Sequence, residues 1–139
     1  MLVSPQLSIE RRKTYYQHWL EDFPFAEGDQ SLQADPDGDG IDNLQEYAFG
    51  TNPTNAEPDG RGLTVITPDL SFIYNRRLDA IARGLSYTLE QSADLIRWDP
   101  VDNLSEEILT LPTMETVNLN LEPIANESQR FWRLRVSLQ

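Results

Sequence analysis

The chain has no cysteine, a single histidine and few basic residues, with 11 Lys and Arg against 23 Asp and Glu and a net charge of -12. Without cysteine there is neither a disulfide framework nor a thiolate metal site. That absence is common in exported bacterial proteins but assigns no compartment by itself. The acid excess argues against nucleic acid as a partner, because phosphates would be repelled. It suits cations, and equally a well-solvated surface. No apolar run reaches the ~18 residues needed to span a bilayer, so membrane insertion is not expected. The start of the chain, Met-Leu-Val-Ser-Pro-Gln, lacks the charged and apolar regions of a signal peptide. It reads either as a fragment of a longer exported protein or as a cytoplasmic chain. The lone His18 has no serine, cysteine or acid set beside it by any motif, so a helix-surface position is expected rather than catalysis.

What is present reads as globular. The chain has 139 residues, of which 39% are hydrophobic and 24% charged, enough for one domain or two small ones with a modest core. Residues 8–23 are expected to form a helix, with Ser8 as N-cap and Glu10 at the positive end of the dipole. Tyr16, Trp19, Leu20 and Phe23 fall on one stripe, and Pro24 ends it. A second, short helix is expected over about 42–49, burying Leu44, Tyr47 and Ala48, with Gly50 at its C-terminal cap. Turn-forming residues then crowd the segment from Gly50 to Gly62.

From Leu63 onward the period changes to two. Phe72 and Tyr74, Tyr87 and Leu89, Val117, Leu119 and Leu121, and Trp132, Leu134, Val136 and Leu138 each alternate with polar or outward neighbours. Segments 63–67 and 96–101 are weaker strand candidates. Turn signals stand at Arg83-Gly84, Asp99-Pro100 and Glu122-Pro123. The expected class is α+β, with an N-terminal helix–calcium loop–helix followed by an antiparallel β-sandwich or curled sheet. The expected division is a helical segment over 1–55, a linker over 56–62 and a β domain over 63–139.

The feature richest in chemistry runs from Asp35 to Glu46 and reads Asp-Pro-Asp-Gly-Asp-Gly-Ile-Asp-Asn-Leu-Gln-Glu. Counted from Asp35 as position 1, Asp37, Asp39, Ile41, Asn43 and Glu46 take positions 3, 5, 7, 9 and 12, the ligand spacing of an EF-hand loop. Gly40 at position 6 permits the sharp turn. The expected ligands are the Asp35, Asp37 and Asp39 carboxylates, the Ile41 carbonyl, Asn43 directly or through water, and both Glu46 oxygens. Hard oxygen donors without His or Cys select Ca²⁺ over zinc or copper. The crowded carboxylates repel one another, and a divalent cation would relieve that and order the segment. The competing reading is an acidic, Gly-rich turn that binds nothing. Position 8, apolar in the usual EF-hand, is Asp42 here, and no second loop follows, which argues against a paired calcium sensor.

The loop resembles a thrombospondin type 3 repeat and the dockerin-related loops of bacterial exported proteins. The longer run from Asp35 to Pro53, which continues Tyr-Ala-Phe-Gly-Thr-Asn-Pro, resembles a C-terminal module of large secreted proteins of Verrucomicrobia and related bacteria. Trp19, the run from Leu85 to Trp98 and the run from Arg130 to Val136 share in the resemblance, which therefore covers most of the chain. It implies an extracellular or cell-surface setting behind a larger functional region. In related loops a second calcium is sometimes shared with residues after the helix. Asn52 and Asp59 are the candidates here, against the simpler reading that both make turns.

The expected function is a non-enzymatic, calcium-stabilised structural module. Calcium affinity is expected on the order of 10⁻⁴ to 10⁻³ M, as in extracellular modules. The alternative is a carbohydrate- or protein-binding module of dockerin type, whose glycan or protein partner the sequence does not identify. Trp98 and Trp132 are candidates for an aromatic platform, though sandwich cores usually absorb such residues. Arg76, Arg77, Arg133 and Arg135 either form a basic patch or pair with acids on neighbouring strands. A glycosidase built on Asp35 and Asp37 is disfavoured by their tight spacing in a metal-type loop.

Overall fold

The computed structural model describes residues 14–25, 28–56, 63–122 and 129–139. Two short helices precede seven strands. They are α1 (Tyr15–Leu20), α2 (Asn43–Phe49), β1 (Thr64–Ile66), β2 (Ser71–Arg77), β3 (Leu85–Ser92), β4 (Asp99–Pro100), β5 (Glu106–Thr110), β6 (Met114–Asn120) and β7 (Phe131–Leu138). No described helix is long and apolar enough to cross a membrane.

The strands form two antiparallel sheets. One has the order β1-β2-β6-β5 and the other β4-β3-β7. Phe72 pairs with Leu119 and Tyr74 with Val117, so the apolar faces of β2 and β6 coincide. In the second sheet Leu89 pairs with Leu134 and Tyr87 with Val136. A shift of one residue would turn these side chains outward, so the alternation in sequence specifies the register. Phe72, Tyr74 and Val117 from one sheet share a cluster with Leu89, Trp132 and Leu134 from the other.

The helices pack into the same interior. Phe49 joins the cluster between the sheets. Tyr47 and Ala48, both fully buried, pack with Trp19 and Leu20 of α1 and with Ala80 and Leu85 of the β2–β3 region. Tyr47 meets the rings of Tyr16 and Trp19 at 5.3 and 5.2 Å. Aromatic pairs at such distances add about 0.5–1.5 kcal/mol beyond area burial. Two six- and seven-residue helices that are marginal alone are therefore held by packing.

Several local expectations change. The first helix does not run from 8 to 23. Thr14 is extended and caps it, accepting from the Gln17 amide at 3.1 Å while Gln17 returns a bond to the Thr14 amide. Ser8 and Glu10 lie outside the described residues. The helix also stops at Leu20, because Phe23 precedes Pro24 and the helical region is disfavoured there. Phe23 still packs on Trp19 at 5.1 Å. The second helix is as expected, with Gly50 closing it at φ 78°.

Asp99-Pro100, expected as a turn signal inside a weak strand segment, is a two-residue edge strand, a position that tolerates proline's missing N–H. Strand β5 was not foreseen. All five of its residues are exposed, so burial imposes no alternation on Glu106-Glu-Ile-Leu-Thr110. The arginines divide. Arg76 pairs with Glu115 at 2.6 Å and Glu106 at 3.0 Å, and Arg133 with Glu90 at 2.8 Å. Trp132 is absorbed into the inter-sheet cluster, and Trp98 lies beneath the Arg133 guanidinium at 4.1 Å.

Candidate metal centre

The loop from Asp35 to Asp42 is shaped by its own side chains. Asp35 accepts from two amides, Gly38 through Oδ1 at 3.0 Å and Gly40 through Oδ2 at 2.9 Å. Asp39 Oδ1 accepts from the Ile41 amide at 2.9 Å, and Asp37 Oδ1 from the Asp39 amide at 3.4 Å. Gly38 and Gly40 stand at φ 71° and 88°, where a Cβ would be strained. The ends of the loop are tied by the amides of Asn43 and Leu44, which donate to the carbonyls of Ala34 and Leu32 at 2.9 Å.

These bonds turn three carboxylates toward one point. An oxygen from each of Asp35, Asp37 and Asp39 lies within 4.8 Å of the other two. Asp37 Oδ2 is buried and meets no hydrogen-bond donor. Burial, with help from the neighbouring Asp35 carboxyl and the Asp39 charge, pushes the Asp37 pKa up to about 6. Crowded oxygens that resist ionisation in this way are what a hard divalent cation relieves, so the donor set fits calcium in kind.

The remaining expected ligands are placed differently. Ile41 is buried, and its amide is engaged by Asp39. Asn43 is fully buried, and its Nδ2 donates to the carbonyls of Asp29 and Ser31 at 2.7 and 2.9 Å. Its amide thus fastens the preceding turn to α2. Its Oδ1 is buried without a hydrogen-bond donor. Glu46 is fully buried on α2 and does not belong to the 4.8 Å carboxylate cluster. Asn52 makes a turn, its Oδ1 accepting from both the amide and hydroxyl of Thr54 at 2.9 Å. Asp59 lies outside the described residues. His18 is on the helix surface, 3.7 Å from Glu21.

Two structural roles went unread in the sequence. Asp42, the departure at position 8, is the N-cap of α2 and accepts from the Gln45 amide at 2.9 Å, while Gln45 reaches back to the Asp42 amide. The signal was present, since Asp42 stands three residues before Gln45 in a capping-box pattern. The other end of α2 is held by residues distant in sequence. Arg77 Nε donates to the Tyr47 carbonyl at 2.6 Å, and the Tyr87 hydroxyl donates to the Ala48 carbonyl at 2.5 Å. No sequence signal marked that clamp.

Fold and site together define a β-rich α+β chain with a loop triad of aspartates seated at the start of a packed helix. No family model matches this chain, and no curated protein or solved structure matches it either.

Proposed function

We propose that the chain is a calcium-stabilised, non-enzymatic structural module of a larger exported bacterial protein, acting in an extracellular or cell-surface setting. The observation that carries this reading is the convergence of the Asp35, Asp37 and Asp39 oxygens within 4.8 Å, next to a buried Asp37 oxygen that has no donor. The EF-hand spacing on to Glu46 and the resemblance to modules of Verrucomicrobia-type secreted proteins support it. In this reading the N-terminal part is a helix–calcium loop–helix seated on a β-sandwich. The Asp35, Asp37 and Asp39 side chains hold the ion, with the Ile41 carbonyl, Asn43 and Glu46 completing its shell after local adjustment.

Calcium here is structural. It cancels the repulsion among the aspartates and fixes the start of α2. Because Tyr47, Ala48 and Phe49 of the same helix are buried against both the first helix and the sheets, fixing its start stabilises the whole unit. The test is a thermal melt of the chain with millimolar calcium and with excess chelator. At about 10 mM calcium, roughly 10 to 100 times the expected Kd, a one-site ligand stabilises by about 1.4–2.7 kcal/mol, so a shift of a few degrees is expected. Superimposable melts would reject the reading.

A further inference from the structure

The hollow between α1 and the end of β2 is assigned to none of the roles above. It has a volume of about 370 Å³ and is lined by Tyr15, His18, Glu21, Asp22, Arg77 and Arg83, with the Trp19 edge. That is the size range of small-ligand sites. A longer groove of about 790 Å³ adjoins it, sharing Tyr15, His18 and Arg83 and running past Ile81 toward Leu138.

Its two arginines are unequal. Both guanidinium groups lie over the Tyr47 ring, Arg77 at 4.8 Å and Arg83 at 5.5 Å from the centroid. Arg83 is neutralised by Asp79 at 2.8 Å, bonds the Tyr47 hydroxyl at 3.2 Å and lies over Tyr15 at 5.2 Å. Arg77 forms no ion pair among the described residues. Its Nε is committed to the Tyr47 carbonyl, and its terminal nitrogens meet no acceptor among the described residues. A half-buried guanidinium of this kind, beside a second one, is a fork suited to a carboxylate. The strand arginines Arg76 and Arg133 are by contrast paired with acids.

We propose that this hollow binds a carboxylate-bearing saccharide, with the uronate carboxylate on Arg77. Tyr15, half exposed, offers a ring face for the sugar. His18 and Asp22 line the same hollow and bring hydrogen-bonding groups for its hydroxyls. With two acids at the wall, a ligand with a single negative charge and many hydroxyl donors is favoured over a phosphate dianion, and a uronate presents that combination. The site is separate from the aspartate triad and does not depend on the calcium reading.

The test uses the full chain in calcium-containing buffer, with a galacturonate trisaccharide, the matching neutral galactose trisaccharide and an acidic peptide as probes. Heteronuclear NMR titration is expected to show saturable shifts at Tyr15, His18 and the Arg77 side chain with the uronate, and at least tenfold weaker binding of the neutral sugar. Arg77→Gln is expected to lower uronate affinity about tenfold. Because Arg77 also holds α2, Tyr15→Ala on the exposed face serves as a second variant, expected to weaken binding severalfold with an unchanged melt. Equal affinity for the neutral sugar, binding of the peptide alone, shifts mapping elsewhere, or no binding at millimolar uronate would overturn the proposal.

Discussion

The two ends of α2 are held by different kinds of chemistry. At its start, Asp42 and Gln45 cap each other, and Asp35 and Asp39 gather the amides of the loop just before it. Every one of these bonds spans five residues or fewer. At its end, the last carbonyls are taken by Arg77 and Tyr87, 30 and 39 residues away, above a ring cluster that includes Trp19 and Tyr47. The start is polar, local and crowded with negative charge. The end is apolar, remote and satisfied by the protein alone. Loss of a cation should therefore be felt at the first end, and loss of packing at the second.

The largest effect is expected where packing dominates. Tyr47→Ala removes a fully buried ring shared by both helices and both arginines. It should cost about 3–5 kcal/mol in urea denaturation, with or without calcium. A cost that appeared only with calcium would dissolve the contrast between the two ends.

Asp39→Ala probes the other end. It is expected to forfeit the calcium-dependent part of the stability, about 1.4–2.7 kcal/mol at about 10 mM calcium, and to cost much less in chelator. Equal losses in the two buffers would show that Asp39 serves only the loop amides.

A finer cut is Tyr87→Phe, which deletes one hydroxyl that donates to Ala48 and accepts from the Arg77 amide at 3.3 Å. Leaving those two groups without their partner should cost about 1–2 kcal/mol. The calcium increment of the melt should be unchanged, which distinguishes the clamp from the loop.

The smallest and most diagnostic effect is in pH. The Asp37 pKa is raised in the folded chain, to about 6 from 3.8. The native state therefore binds more protons than the unfolded state between those values, and stability in chelator should rise as pH falls through that window. In calcium the sign reverses, because the carboxylates must be ionised to bind and the ion is lost on acidification. Melts at pH 7 and pH 5, with calcium and with chelator, should cross. Parallel pH profiles would remove Asp37 from the cation site.

Much of the first end was legible in the sequence. The spacing from Asp35 to Asp39, the glycine at 40 and the cap at Gly50 are local patterns with local causes, and the structure draws the three aspartates together. Glu46 and Asn43 stood out in the sequence as expected ligands, and their full burial was not legible there. Asn43 is committed to the Asp29 and Ser31 carbonyls, and that depends on how the preceding turn folds back. Strand β5 was invisible because an exposed edge needs no alternation. The described helix α1 begins after Thr14, whose extended backbone and capping box with Gln17 set its start.

By itself the sequence determined the elements with short-range causes. These are the acidic turn, the short helix behind it, and strands whose period of two specifies which side chains meet. Tertiary structure decided the rest. It seated α2 between the helical aromatics and the two sheets, set Arg77 on the Tyr47 carbonyl with no acid partner among the described residues, and raised the Asp37 pKa by bringing burial and negative charge to one place. Burial and charge at a site depend on what the remainder of the chain brings near it, and residues 30 or 40 positions apart carry no mark in sequence of where they will meet.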